Sequence, residues 1–156
     1  MASSMSLWEV LESAIQKEIM SRFLYIGLRQ SAKNQASKDA FQILADQEEN
    51  HQRVLEDYMH GRLKEGALRT SITVDQTITE HLEQPEITSK TQLKDIFLIA
   101  ASKEKASHDL YLSLAEIHPE GKVKELLKEM AVQDLDHKGR VEKLLAEIAL
   151  PQTDGG

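Results

Sequence analysis

Apolar side chains recur at steps of three and four in four long stretches of the 156-residue sequence, the mark of amphipathic helices. Ser6 and Glu9 have the spacing of a capping box, and behind them Leu11, Ile15, Glu18, Arg22, Tyr25 and Leu28 trace one helical face. The polar run from Lys33 to Ser37 ends that helix, with Ser37 as a candidate cap for the next. The second face is Phe41, Leu44, Glu48, His51, Leu55 and Tyr58, stopped by Gly61. Ser89 and Gln92 suggest a further capping box, opening a third face of Phe97, Ala100, Ala101, Glu104, His108, Tyr111 and Leu114. After a turn at His118 to Lys122, the fourth face carries Val123, Leu127, Met130, Asp134, His137, Val141, Leu144 and Ile148, and Pro151 follows it.

Between Gly61 and Ser89 the periodicity fades, and so long a stretch without a strong element reads as a crossover. The expected fold is therefore all-α and forms one domain. A hairpin over about 6–60 and a second over about 90–149 are joined by a crossover over about 61–89, with a disordered tail at 150–156. Helices of roughly 20 to 28 residues would run about 30–42 Å, and a four-helix bundle with one long crossover accommodates them.

Composition agrees with this pattern and narrows the chemistry. There are 7 Gly and 3 Pro, and 4% of residues are aromatic, too few turn and sheet formers for a sandwich or barrel. Absence of cysteine excludes disulfides, iron–sulfur clusters, thiolate zinc sites and cysteine nucleophiles within this sequence. The net charge of −7 and the lack of a basic stripe argue against a nucleic-acid partner. The longest apolar run, Ile96 to Ala101, is too short to span a bilayer, and no charged leader with an apolar stretch precedes the domain. The expectation is a cytoplasmic protein without a membrane partner.

The two hairpins repeat each other at a constant offset of 86 positions (104 − 18). The pairs are Glu18/Glu104, Tyr25/Tyr111, Glu48/Asp134 and His51/His137, with Lys17/Lys103, Gln47/Gln133 and others on the same offset. Each helix thus carries a carboxylate in the middle of its apolar face. In the second and fourth, a histidine follows three residues later, on nearly the same side. Counted outward from turns near Gln35 and Glu120, the six groups all lie 13 to 17 residues along their helices, so antiparallel hairpins bring them to one level. A lone pair of this spacing is an ordinary interior hydrogen-bonding arrangement. Four carboxylates at one buried level are different, because each desolvated anion costs several kcal/mol and the cluster needs positive charge. Two divalent or trivalent cations would supply it. Carboxylate with imidazole suits iron or manganese, with zinc also compatible.

Glu18, Glu48-x-x-His51, Glu104 and Asp134-x-x-His137 resemble the signature of ferritin-like di-iron carboxylate proteins, specifically the rubrerythrin-like branch. Tyr25 and Tyr111, each seven residues after its glutamate, fit the same likeness. The resemblance spans the four helices. It implies a ferritin-like bundle holding two iron ions, with Glu18 and Glu104 as terminal ligands, Glu48 bridging, and His51 and His137 each binding one metal. Asp134 stands where the family pattern has Glu; one methylene shorter, it is open to chelating one metal, bridging through water or weakening one site. Two more departures are Ser107, in place of a further family Glu, and the lack of the cysteines that a rubredoxin domain would need.

The implied activity is redox chemistry: reduction of hydrogen peroxide or dioxygen with oxidation of Fe(II), as a peroxidase or ferroxidase protecting against oxidative stress. Electrons would come from an external rubredoxin-like protein or flavoprotein, and the resemblance also implies a homodimer. The alternative is a non-catalytic module that binds, stores or delivers iron. Tyr25 and Tyr111 read equally as hydrogen-bonding partners or electron donors near the metals and as core aromatics. His108 is a candidate extra ligand or proton donor, although an ordinary histidine with a hydrogen-bond partner is the simpler expectation. His60, His81 and His118 have no assigned role.

Overall fold

The computed structural model describes residues 4–149. Four long helices form two antiparallel pairs. Helix α1 (Leu7–Ser31) packs on α2 (Gln35–Met59), and α4 (Leu93–Ile117) packs on α5 (Lys122–Ala149), with a short turn of helix, α3 (Gln76–Thr79), between the pairs. The all-α four-helix bundle expected from periodicity, with the ferritin-like arrangement that the resemblance implies, is the fold observed. The expectation for the tail at 150–156 lies outside the described residues. Among the described residues, no helix is long and apolar enough to cross a membrane.

Helix ends agree with the sequence where the capping chemistry is strong. The Ser6–Glu9 box closes in both directions, with the Glu9 N–H donating to Ser6 Oγ and the Ser6 N–H to Glu9 Oε1, each at 3.2 Å. Gly61 ends α2 at φ +73°, where the Gly61 N–H reaches the Tyr58 carbonyl and the Arg62 N–H reaches that of Asp57. Two other expected caps are corrected. Asn34, not Ser37, caps α2, because its side-chain oxygen accepts the Ser37 N–H at 2.8 Å and places Ser37 inside the first turn. No capping box forms at Ser89 and Gln92. Thr88 and Thr91 close a turn on each other, so α4 starts only after Gln92.

The crossover has more structure than its fading periodicity suggests. Met5–Ser6 (β1) and Thr73–Val74 (β2) pair antiparallel, Met5 opposite Val74, and a 3₁₀ turn at Glu80–Leu82 follows α3. A buried chain of hydrogen bonds ties the crossover to both hairpins. His118 Nδ1–H donates to the Leu114 carbonyl, so its Nε2 accepts the Tyr58 hydroxyl proton at 2.6 Å, and the Tyr58 oxygen accepts the Leu68 N–H. Burial, with Lys124 nearby, holds His118 below its ordinary pKa despite the Leu114 bond, which keeps this arrangement neutral.

The apolar interior is split in two. One cluster gathers Leu7, Leu11, Leu55, Tyr111, Leu114 and Leu127; the other gathers Tyr25, Phe41, Leu44, Phe97 and Val141. On every long helix the inward carboxylate falls between a member of one cluster and a member of the other, for example Ala14, Glu18 and Tyr25 on α1. Among the residues expected on inner faces, Ile148 is half exposed near the end of α5, and Arg22 reaches outward to Glu49 at 3.7 Å.

Candidate metal centre

Six side chains converge at the level between the two apolar clusters. Glu18, Glu48 and Glu104 are 2–3% exposed, and His51, Asp134 and His137 are 0% exposed. Their potential ligand atoms fall into two groups, each lying within 4.8 Å internally: Glu18, Glu48 and His51 in one; Glu48, Glu104, Asp134 and His137 in the other. Glu48 belongs to both. Asp134 joins the second group, although one of its oxygens also approaches His51 Nδ1 to 3.5 Å.

The histidines are aimed by residues of the opposite hairpin. His51 Nε2 lies 2.7 Å from Gln133 Oε1, and His137 Nε2 bonds to Gln47 Oε1. An amide oxygen only accepts, so each imidazole donates from Nε2 and turns Nδ1 towards the carboxylates. His51 Nδ1 stands 3.6 Å from Glu18, and His137 Nδ1 stands 3.1 Å from Glu48 and 3.5 Å from Glu104. The two rings lie nearly parallel, with centroids 5.9 Å apart. Gln47 and Gln133 appear in the repeat offset, but sequence reasoning gave them no role. The signal was their shared position immediately before Glu48 and Asp134; what it lacked was the partner, which sits on the other hairpin.

The tyrosines cross over in the same way. Tyr25 donates to Glu104 Oε1 at 2.6 Å and Tyr111 donates to Glu18 Oε1 at 2.5 Å, so each hydroxyl braces the carboxylate of the other hairpin and not the one preceding it in sequence. His108 stays outside the cluster. Its Nδ1 lies 2.7 Å from the Ala131 carbonyl, the ordinary hydrogen-bonded role.

The electrostatics show how strained this arrangement is as a set of bare anions. Burial, then the charges of Glu104 and Glu18, push Glu48 well above the usual carboxylate range, and the same causes push up Asp134. Burial also opposes ionisation of Glu18, but Glu48, His51 and the Tyr111 hydroxyl outweigh it and hold Glu18 low. Burial would lower His51, yet Glu18 raises it above its ordinary value. Tyr25 and Tyr111 are pushed well up, first by burial and then by the carboxylates, so both keep their protons as donors.

Four buried atoms have no hydrogen-bond partner here: Glu18 Oε2, His51 Nδ1 and both oxygens of Asp134. Orphaned buried acceptors of this kind are rare and costly, and they are the donor atoms that a carboxylate–imidazole metal site uses. The residues present fit a pair of cations sharing Glu48.

A family model described as Rubrerythrin matches the chain over residues 9–96 and 95–153. No curated protein and no solved structure shows a significant match.

Proposed function

The chain belongs to the rubrerythrin family, and on that footing we propose that it is a di-iron oxidoreductase, reducing hydrogen peroxide or dioxygen as Fe(II) is oxidised, with electrons drawn from a separate carrier. One observation carries this reading: Glu48 belongs to both ligand groups, which makes them one two-metal site and not two unrelated ones. Two ferrous ions, when bound, supply the two electrons that convert one hydrogen peroxide and two protons into two waters, leaving two ferric ions.

The protein's own groups supply the rest. Glu18 and Glu104 offer terminal oxygens whose rotation is limited by Tyr111 and Tyr25. Gln133 and Gln47 hold His51 and His137 in the tautomer that leaves Nδ1 free to bind. The apolar clusters on either side keep bulk water from the level of the site. On this reading the electrons come from a rubredoxin-like centre or a flavin, since the residues of this sequence hold no cysteine to ligate an iron–sulfur relay themselves.

Stopped-flow spectroscopy tests the reading. Protein loaded anaerobically with Fe(II) and mixed with hydrogen peroxide is expected to develop ferric absorption, consuming one peroxide for every two irons. Protein that retains two irons yet stays colourless would be a binding or delivery module instead.

A further inference from the structure

On the outer side of Glu18 and Glu104, a groove of about 550 Å³ runs between α1 and α4 and is closed along one wall by crossover residues Gln84 to Ile87. Its polar lining repeats the pseudo-symmetry of the hairpins. Lys17 and Ser21 come from α1, and Lys103 and Ser107 come from α4 at the same offset of 86 positions (103 − 17). Each lysine immediately precedes a metal-site glutamate. One helical step turns the direction by about 100°, so the carboxylates face inward while the lysines line the groove.

Both lysines are half-buried, and neither pairs with a carboxylate among the described residues. The remaining charge in the groove is Glu86, exposed on the crossover, so two ammonium groups and one carboxylate leave a net charge of +1. Gln84 Oε1, buried without a donor, adds a polar position to the same wall. Beside these groups the lining is apolar, and Met20 and Phe23 are 59% and 63% exposed, far more than large apolar side chains on a packed face.

We propose that this groove binds a monocarboxylate with an apolar body, its carboxylate between the Lys17 and Lys103 ammonium groups and its hydrocarbon on Met20, Phe23, Leu24 and Ile87. A single negative charge matches the net +1 of the lining, and an apolar body covers the exposed aromatic and thioether. The site stands on its own, whatever redox chemistry the neighbouring metals perform.

Isothermal titration calorimetry of the full chain with octanoate tests this, with 1-octanol and inorganic phosphate as comparators. Saturable one-to-one binding of octanoate is expected, at least about tenfold tighter than either comparator. Lys17→Gln and Lys103→Gln should each weaken it about tenfold, the scale of one charge-assisted hydrogen bond, and the double variant should abolish it. Lys103→Arg should retain binding, and unchanged helical circular dichroism would show that the variants fold. Octanol binding as tightly as octanoate, phosphate doing so, octanoate affinity indifferent to both lysines, or a groove closed by self-association of the chain would each overturn the proposal.

Discussion

The two halves of the candidate metal-site level repeat one hairpin pattern, yet they are not equivalent. In the first hairpin Glu48 reaches both ligand groups; in the second, its counterpart Asp134 is a member of one. The flanking machinery stayed symmetric: Gln133 aims His51 as Gln47 aims His137, and Tyr111 braces Glu18 as Tyr25 braces Glu104. The asymmetry at the level of the ligand groups thus coincides with the carboxylate pair, where Asp134 is one methylene shorter than Glu48. It teaches that the hydrogen-bonded support around a site can repeat faithfully while the carboxylates it surrounds take different places in the two ligand groups. Because each brace comes from the opposite hairpin, neither hairpin builds half a site alone.

The sharpest way to break the comparison is to remove each member of the pair. Glu48→Ala should empty both positions, bringing metal content below one per chain by elemental analysis, whereas Asp134→Ala should leave about one. The metal-free Glu48→Ala protein should melt no lower than the parent, since a crowded carboxylate has gone. Equal metal loss in the two variants would remove the distinction between them.

The glutamines come next in size. Gln133→Leu should weaken the position built on His51, and Gln47→Leu the position built on His137, each by roughly tenfold or more in metal titrations. Gln47 neighbours Glu48 in the chain but serves the opposite hairpin's histidine. If its loss instead affected the His51 position, the crossed bracing would be wrong.

How far the site was legible in the sequence follows the same division. Apolar spacing located the four helices because each buries a continuous stripe, and the offset between hairpins exposed Glu18, Glu48, His51, Glu104, Asp134 and His137 as interior charges. Contacts that cross between hairpins were hidden. Seven residues separate Tyr25 from Glu18, but its partner is Glu104, reached only once the pairs pack. Gln47 and Gln133 look like surface amides until their histidines face them. The two-residue β1 and β2 are too short for a period, and the Thr88–Thr91 turn overrides the Ser89 capping signal by local hydrogen bonding. His118 became a buried link because Tyr58 and Leu68 converge on it from different parts of the chain.

A smaller effect is the pH dependence of the metal-free protein. Glu48 and Asp134 have folded pKa values raised above their ordinary 4.5 and 3.8, so their stabilising contribution is complete below those values and is lost as pH rises through the folded ones. His51, raised above 6.5, acts in the same sense at higher pH. Glu18, held low, contributes oppositely and only in acid, where it loses stability as pH falls through its folded value. The melting temperature of chelator-treated protein should therefore fall between about pH 5 and 8. Metal-loaded protein, with its ligands already deprotonated, should show a weaker or reversed trend. A rising melting temperature without metal would contradict the assigned directions.

The smallest change is Asp134→Glu, which restores the missing methylene. It should tighten the position built on Glu104, Asp134 and His137 by a few-fold in metal titrations and make the two halves more alike. No gain in affinity would mean that side-chain length is not what separates them.

The central claim is one site holding two cations around a shared Glu48. Anomalous diffraction from crystals of the iron-loaded protein tests it directly. The expected result is two peaks about 3.5–4 Å apart, flanked by Glu18 and His51 on one side and by Glu104, Asp134 and His137 on the other, with Glu48 between them. A single peak, no peak, or two peaks that Glu48 does not touch would contradict it.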